Sequence, residues 1–377
     1  MNYDCIIVGG GIVGAAAACH LARQGARAVL VDRQNKGRAT SAGAGILSPH
    51  TYRGDSEAWF RFSNRAFTYI EELATTLSAA GVETGFSRCG ALTVAVDEEE
   101  LEPYAAAREL IFARQRQLGS PGPEELREVS SAEARELFPP LGELRGAIYN
   151  SLAARVDGRM FEQALRRVAA ERGLELRRGS VERLLLANSA VTGVVANGEA
   201  FDARAVIICG GAWSQGFATQ LGVDIPVEPQ RGQIIHLALA DDSTGGWPMV
   251  SAFHDHYMVP WPGGRVAVGA TRETGAGFAP HTTAAGVQEV LGEALRVAPG
   301  LAGAAIGEIR VGLRPLCRDS LPIIGAVPGV SGLFVATGHG ASGLQLGPYS
   351  GMITADLALG GKAPKEAGAF NPDRFLK

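Results

Sequence analysis

Residues 3–32 read YDCIIVGGGIVGAAAACHLARQGARAVLVD, and this stretch decides the fold. The apolar run 5–8 has the length and the β-branched content of a buried parallel strand. Gly9, Gly11 and Gly14 follow in G-x-G-x-x-G spacing. The first glycine permits a tight bend, the second lets a pyrophosphate approach the backbone, and the third lets a helix pack closely on the strand. The stretch therefore predicts a strand, a phosphate-binding turn and a helix whose N-terminus favours anions.

A second predicted strand, residues 29–31, ends at Asp32. In such folds an acidic residue about 20 residues after the glycine turn binds the ribose diol, and Asp32 follows Gly14 at roughly that distance. Because a carboxylate there disfavours a 2′-phosphate, FAD or NAD is expected rather than NADP.

Residues 5–22 carry no charged side chain and also resemble a membrane span or a signal sequence. The central glycines and the absence of a basic segment before the run argue against both.

Length and composition indicate a two-domain protein that acts on small molecules. A chain of 377 residues can bury a substantial core. Its net charge of −4 and its pI of about 6.0 leave no electrostatic footprint for nucleic acid or an anionic membrane. The five cysteines are scattered and include no C-x-x-C. We therefore expect a reduced, cytoplasmic setting, with no disulfide framework, no metal site and no transmembrane segment.

Apolar periodicity predicts the other elements of the chain. Helices are predicted at 58–80, at 159–172 and from about 342 to 359, and strands at 91–96, within 175–186, and at 191–195, 205–209, 232–239, 256–260 and 265–270. Residues 320–355 carry no charge but contain eight glycines and three prolines. Because lipid does not tolerate so many helix breakers, this segment is predicted to be buried around an apolar ligand.

The sequence resembles the glycine oxidase branch of the D-amino-acid oxidase family of FAD-dependent amine oxidoreductases. The resemblance covers nearly the whole chain and rests on motifs that follow one another in order. They are GGGIVG (9–14), RATSAGAGIL (38–47), CGGAWS (209–214), PVEPQRGQ (226–233), FHDHYMVP (253–260), GGRVAVGAT (263–271), GLRPLCRDSLPIIG (312–325) and GHGASGLQLGP (338–348).

The resemblance implies an α/β fold in which a Rossmann-like FAD-binding domain carries an inserted antiparallel-sheet α+β substrate domain. The expected FAD-binding domain comprises residues 1–80, 150–225 and 315–377. The expected substrate-binding domain comprises residues 81–149 and 226–314. A homo-oligomer is left open.

The resemblance also implies a noncovalent FAD and a set of residues that hold it. Cys317 does not align with the cysteine that binds flavin covalently in some sarcosine oxidases. The helix that begins near residue 342 would place its positive end at the flavin, where it stabilises the negative charge of the reduced form. The expected FAD-binding residues are Gly9, Gly11, Ile12, Val13, Gly14, Asp32, Arg33, Arg38, Thr40, Ser41, Ala44, Gly45, Ile46, Val181, Gly210, Trp213, His339, Gly340, Ala341, Ser342, Gly343, Leu344 and Gln345.

On the substrate side, Arg314 matches the arginine that binds the substrate carboxylate in the family, and a guanidinium fork is the best partner for that group. Tyr257 matches the active-site tyrosine. His50, His254 and His256 are further candidates for substrate contacts, with ordinary polar lining as the alternative. Many glycine oxidases carry an arginine in the GHxxNG loop, which this chain lacks. Glycine is therefore not assumed to be the substrate.

The expected reaction is hydride transfer from the carbon beside an amine to flavin N5, followed by hydrolysis of the imine to an oxo acid. Reoxidation by O₂ would give hydrogen peroxide. The expected substrate is a small amino acid such as glycine, sarcosine, iminodiacetate or a D-amino acid. The nearest alternative is a dehydrogenase of the same fold that passes electrons to a quinone or another carrier. A flavin monooxygenase and a noncatalytic FAD-binding subunit are weaker alternatives.

Overall fold

The computed structural model of the protein describes residues 2–240 and 242–376. Its strands, numbered in chain order, are β1 (Asn2–Val8), β2 (Ala28–Asp32), β3 (Ile46–Leu47), β4 (Ser87–Arg88), β5 (Ala91–Ala95), β6 (Leu126–Glu128), β7 (Gly146–Asn150), β8 (Ala154–Arg155), β9 (Glu175–Arg178), β10 (Val181–Ala187), β11 (Ala190–Ala196), β12 (Glu199–Ile208), β13 (Val227–Ala238), β14 (Met249–Ser251), β15 (Tyr257–Trp261), β16 (Arg265–Gly269), β17 (Glu273–Thr274), β18 (Ala305–Cys317), β19 (Ile323–Ala326) and β20 (Leu333–Thr337).

Helices connect these strands and cover the sheets. The α-helices are α1 (Ile12–Arg23), α2 (Ala39–Ala42), α3 (Glu57–Ala79), α4 (Leu101–Leu118), α5 (Ser131–Leu137), α6 (Gly158–Glu171), α7 (Ala218–Leu221), α8 (Ala284–Val297) and α9 (Gly343–Ala358). The 3₁₀ helices are Pro49–Thr51, Glu98–Glu100, Gly211–Phe217, Asp242–Gly246, Pro299–Leu301, Gly340–Ser342, Lys365–Phe370 and Pro372–Phe375. The three helices predicted from periodicity correspond to α3, α6 and α9.

The first sheet has a parallel centre with the strand order β9-β2-β1-β12-β20. Strand β19 adds antiparallel to β20, and β10 and β11 continue antiparallel from the first half of β12. Alternate residues face opposite sides of the sheet. Ile7 and Leu30 therefore pack beneath α1, α6 and α9, whereas Ile6 and Val29 pack in a second core with residues of β10 and β11.

The parallel strands of this sheet all end at one edge. In open α/β sheets, ligands bind outside the carboxyl ends of such strands. Here that edge carries the glycine turn after β1, Asp32 at the end of β2, the turn after β9, the Gly-Gly turn after β12 and the loop after β20. The sheet thus brings together segments from across the chain.

The second sheet has the order β17-β13-β16-β15-β14-β5-β7-β6, and β18 pairs with the other side of β13. All its neighbours pair antiparallel except β5 and β14. One face packs on α5 and α8 through residues such as Ile235, Met258 and Val290. Period-2 alternation turns Ile234 and Tyr257 to the opposite face, where they line a cavity shared with the first sheet.

The mixed α/β architecture confirms the predicted fold class. The strands of the second sheet come almost entirely from residues 81–149 and 226–314, but the predicted boundary at 314/315 falls inside β18. Strand β18 stays paired with β13 as far as Cys317, so residues 315–317 still belong to the second sheet. Within the described ranges, no helix combines the length and the apolar character that crossing a bilayer requires.

Candidate active site

An elongated cavity follows the carboxyl edge of the first sheet and ends between the two sheets. Its lining begins at the turns after β1 and β9, passes the N-terminus of α1 and reaches the N-terminus of α9. The far end is closed by β13, β15 and β18 of the second sheet. The cavity therefore joins the site predicted for a dinucleotide to the site predicted for a substrate.

Glycine is required at the turn after β1 because the backbone is crowded there. A Cβ on Gly14 would lie 1.9 Å from the carbonyl oxygen of Gly9. Gly9 itself has a φ of +102°, and a Cβ there would lie 2.5 Å from the carbonyl oxygen of Cys209. The close approach at Gly14 agrees with the helix packing predicted from the glycine spacing, and the structure adds a backbone contact between the turns after β1 and β12.

Asp32 is buried at the end of β2 within a network of ion pairs. Its Oδ2 lies 3.1 Å from Nη1 of Arg166, which also lies 3.3 Å from Glu162. Arg38 bonds Glu162 as well and lies 3.9 Å from Asp32. Burial raises the pKa of Glu162 although Arg38 and Arg166 act to lower it. These two guanidinium groups fix the orientation of Asp32 at the cavity wall.

The cavity end beside β9 and β12 has an apolar and aromatic lining. Val181, Trp213 and Arg33, which were predicted to bind FAD, line this end of the cavity. The guanidinium of Arg33 lies over the indole of Trp213, 5.9 Å from the ring centroid. Phe278 stacks on the same indole at 5.5 Å. An adenine ring could stack on such aromatic surfaces and interact with the neighbouring guanidinium.

The N-terminus of α9 lies at the other end of the first sheet's edge. Gly340, Ala341 and Gln345 line the cavity there, opposite Ala44. His339 is buried, its Nε2 lies 2.9 Å from the hydroxyl of Ser350, and burial lowers its pKa to about 4. Because this imidazole is neutral at neutral pH, the positive end of α9 supplies the local potential, and it favours negative charge on a bound group.

Arg314 projects from β18 into the substrate end, and its partners among the described residues are all neutral. Its Nη1 donates to the carbonyl of Thr271 at 2.8 Å and lies 3.4 Å from Oε1 of Gln230. The Tyr257 hydroxyl lies near the same guanidinium. Burial raises the pKa of Tyr257, which keeps the hydroxyl protonated at neutral pH. A half-buried guanidinium whose hydrogen-bond partners are neutral favours an incoming carboxylate.

Glu273 fixes the segment that supports Arg314. Its carboxylate accepts hydrogen bonds from Arg231, from Gln233 at 2.6 Å and from the Thr271 hydroxyl at 2.8 Å. Burial acts to raise the pKa of Glu273, but these hydrogen bonds outweigh it and lower that pKa. The carbonyl of Thr271 is thereby held where it receives Arg314.

Gly232 on β13 leaves the space that Arg314 occupies. A Cβ at this position would lie 2.5 Å from Cζ of Arg314 and 2.6 Å from its Nη1. The crowded atoms are the end of a flexible side chain, so the fold can absorb an alanine but the guanidinium must move.

We therefore expect Gly232→Ala to lower kcat/KM roughly 100-fold, since displacement of a substrate-orienting group by about 1 Å has effects of that size. FAD content and the thermal midpoint should stay close to those of the unmodified protein. Gly303→Ala is the matched control, because a Cβ there meets nothing within 4 Å. Equal kcat/KM values for both variants would contradict the role given to Gly232.

Most of the residues predicted to bind cofactor or substrate line this one cavity. The lining includes Gly9, Gly11, Ile12, Val13, Asp32, Arg33, Arg38, Thr40, Ala44, Gly45, Ile46, Val181, Gly210, Trp213, Tyr257, Arg314, His339, Gly340, Ala341, Gly343, Leu344 and Gln345. Gly14, Ser41 and Ser342 lie next to lining residues but do not line the cavity. The Ile12 amide, predicted to face phosphate, donates to Oγ1 of Thr40 at 3.0 Å.

The three histidines predicted to contact substrate lie outside the lining, and that prediction is corrected. His256 precedes Tyr257, so alternation turns it to the opposite face of the sheet, where Nε2 lies 3.6 Å from Glu289 of α8. His254 lies 3.1 Å from Glu293 of the same helix. His50 packs edge-on against Phe67, and burial lowers its pKa to about 4.

Sequence reasoning missed several residues of the site. Asp255 and Arg272 line the substrate end, and Arg166 supports Asp32. Asp255 lies in a turn before β15 and has a φ of 60°, so strand alternation does not predict its position. Arg166 was not predictable either, since only the packing of α6 on α1 brings it to β2.

No metal site or covalent flavin link was predicted, and the corresponding groups lie away from the cavity. In the described part of the chain, Asp97, Glu100 and His254 place possible ligand atoms within 4.8 Å of one another. Arg296 already bonds both carboxylates, at 2.9 and 2.8 Å. Cys317 is buried and does not line the cavity.

The residues present fit a dinucleotide that ends in a flat ring system. Two helices, α1 and α9, begin at the cavity, and neither is capped by the side chain of its own N-cap residue. The Thr40 hydroxyl accepts from the Ile12 amide of α1, and the partial positive charge of both N-termini favours an anionic ligand. Gly45, with a φ of +87°, lies so close to Val156 that a Cβ would come within 2.0 Å of its carbonyl oxygen. The lining beside α9 is therefore narrow and mostly uncharged, as an isoalloxazine requires.

Comparison with known proteins agrees with this geometry. Residues 4–357 match the family model for FAD-dependent oxidoreductases, DAO. The chain is 38% identical to an uncharacterized oxidoreductase of Bacillus subtilis, YurR, over 97% of this chain and 98% of that protein. It is 30% identical to glycine oxidase of Pseudomonas putida over the full length of both.

A solved structure, the iminodiacetate oxidase IdaA from Chelativorans sp. BNC1, is 39% identical. It superposes with a TM-score of 0.91 and covers 98% of each chain. The family match extends over most of the chain, and these relatives are similar to it over nearly their whole length. The chain belongs to the DAO family of FAD-dependent oxidoreductases.

Proposed function

We propose that this enzyme oxidises a small primary or secondary amino acid at the carbon beside its amine and uses O₂ as the final electron acceptor. The substrates considered are glycine, sarcosine, iminodiacetate and small D-amino acids. The products would be an oxo acid, ammonia or an amine, and hydrogen peroxide. The observation that carries this proposal is Arg314, a half-buried guanidinium whose hydrogen-bond partners are neutral, at the closed end of the cavity.

FAD, when bound along the cavity, would accept a hydride from the substrate carbon and later reduce O₂. The chain itself supplies binding, orientation and electrostatics. Arg314 would bind the carboxylate through two parallel hydrogen bonds, which leaves the neighbouring carbon little freedom to rotate. The Tyr257 hydroxyl would add a third contact to the same group. The amine enters neutral and its lone pair forms the C=N bond as the hydrogen on carbon leaves as a hydride, so no side chain has to act as a base.

The test begins with the FAD-loaded enzyme in the absence of oxygen. It is mixed with glycine, sarcosine, iminodiacetate, D-alanine or D-proline, and the loss of flavin absorbance is followed. We expect at least one of these amino acids to bleach the flavin rapidly. Admission of O₂ should restore the absorbance and release one hydrogen peroxide per substrate oxidised.

Two outcomes would change the proposal. Rapid bleaching followed by slow recovery in O₂, but fast recovery with a quinone, would identify a dehydrogenase that uses another acceptor. No bleaching by any amino acid would exclude the proposed reaction.

A further inference from the structure

The substrate end of the cavity contains a second arginine that the proposed reaction does not use. Arg272 lines the cavity together with Tyr257 and Arg314. It directly follows Thr271, whose carbonyl accepts the hydrogen bond from Arg314. The two guanidinium groups therefore belong to neighbouring parts of one pocket, and both act to lower the pKa of the Tyr257 hydroxyl between them.

The guanidinium of Arg272 has unused hydrogen-bonding capacity. Its Nε lies 3.4 Å from Oδ2 of Asp255, and its side chain is 44% exposed. Among the residues that the structure describes, no acceptor takes a hydrogen bond from either of its Nη groups. The fork is thus oriented by one carboxylate while its outer N–H groups remain available.

Asp255 cannot neutralise this region alone. Its other oxygen, Oδ1, lies 3.8 Å from Arg53, which donates to the carbonyl of Ala252 at 3.3 Å. Arg53 and Arg272 therefore share Asp255, while the charge on Arg314 is opposed by Glu273, which is itself paired with Arg231. Arginines thus outnumber carboxylates around the substrate end. The excess positive charge favours a ligand with more than one negative group.

We propose that Arg272 binds a second, distal carboxylate, so that the preferred substrate is a dicarboxylic secondary amine of the iminodiacetate type. This inference rests on the function proposed above. Arg314 holds the carboxylate beside the carbon that is oxidised, and Arg272 holds the carboxylate on the other arm of the amine. A monocarboxylic amine such as sarcosine leaves Arg272 without its partner and binds through Arg314 alone.

The kinetic test compares two substrates that differ only in the distal group. Iminodiacetate carries a carboxylate where the N-methyl group of sarcosine has a hydrogen. We expect the unmodified enzyme to have the higher kcat/KM for iminodiacetate. Arg272→Met should lower the ratio of the two kcat/KM values roughly 10-fold, the lower end of what a hydrogen bond to a charged group contributes, because the side chain is partly exposed.

Two further variants distinguish a role of Arg272 in substrate binding from a purely structural role. Arg272→Lys keeps the positive charge and should recover much of the ratio, which a purely structural role would not predict. Arg318→Met is the matched control, because Arg318 is also exposed and paired with an aspartate, Asp224 at 2.6 Å, but does not line the cavity. It should leave the ratio unchanged.

A binding measurement tests the same residue without turnover. Thiodiacetate and methylthioacetate replace the amine of iminodiacetate and sarcosine by a thioether, and their Kd values can be read from the perturbed flavin spectrum. The unmodified enzyme should bind thiodiacetate more tightly, and Arg272→Met should abolish the difference.

Equal Kd values in the unmodified enzyme, or a kcat/KM ratio that Arg272→Met does not change, would overturn the assignment of Arg272. If no amino acid reduces the flavin, the proposed reaction fails instead. The thioether titration would still report whether Arg272 recognises a distal carboxylate, so the two failures can be told apart.

Discussion

Arg314→Ala is expected to lower kcat/KM for the amino acid substrate by roughly 30- to 4,000-fold, the effect of removing one partner from a buried, hydrogen-bonded charge pair. The reason is that the partners of Arg314 in the protein are neutral, so the substrate carboxylate is the anion that completes its environment. FAD should remain bound, because Arg314 lies at the substrate end of the cavity. Oxygen consumption and flavin absorbance of the purified variant measure the two effects separately.

Arg310→Ala provides a control on the same strand. Arg310 is also largely buried, but it pairs with Glu308 at 2.7 Å and does not line the cavity. Its replacement should change kcat/KM little. If Arg314→Ala turned over an amino acid as well as the unmodified enzyme, Arg314 would have no part in carboxylate binding and the proposed function would lose its main support.

Gly14→Ala is expected to weaken FAD binding by roughly 5- to 150-fold, so that the protein is isolated with little flavin. The added Cβ would lie 1.9 Å from the carbonyl oxygen of Gly9, which is a backbone atom that cannot rotate away. Helix α1 must then shift from β1, and overpacking of this kind costs about 1–3 kcal/mol. The shift moves the N-terminal amides of α1 away from the phosphates.

Gly292→Ala is the matched control, since Gly292 also lies within a helix and a Cβ there meets nothing within 4 Å. It should bind FAD normally and be slightly more stable, because alanine favours helix formation more than glycine does. If Gly14→Ala does not fold, Gly11→Ala is the second variant, whose Cβ would lie 3.1 Å from Oγ1 of Thr40. Normal FAD affinity in both glycine-turn variants would contradict the role assigned to this turn.

The nucleotide half of the site was predictable because its features are local in sequence. The requirement for glycine at position 14 is local, because a Cβ there would meet the carbonyl oxygen of Gly9 in the same short segment. The contact of Gly9 with the carbonyl of Cys209 depends instead on the pairing of β1 with β12. Asp32 follows from the same unit, one strand later. The network that orients it was not predictable, because Arg166 reaches Asp32 only through the packing of α6 on the sheet.

The substrate half was predictable only in part. The resemblance identified Arg314 and Tyr257, but it did not show which face of β15 the neighbouring residues share. Alternation predicts two faces without saying which one meets the cavity. The packing of α8 determines which face meets the cavity. Glu289 and Glu293 of this helix pair with His256 and His254. Asp255 and Tyr257 lie on the other side, where they line the cavity.

The sequence by itself determined the βαβ unit, the need for glycine at its turn and the family to which the chain belongs, because these depend on short-range steric limits and on motifs that keep their order. The tertiary structure alone decided how charge is arranged at the substrate end. Arg272 and Arg314 are distant in sequence, and they meet because β17 and β18 both pair with β13. The electrostatic potential at the substrate depends on the distances of the charged groups in the folded protein and not on their positions in the sequence. Only the folded sheet therefore shows that more than one arginine faces the substrate.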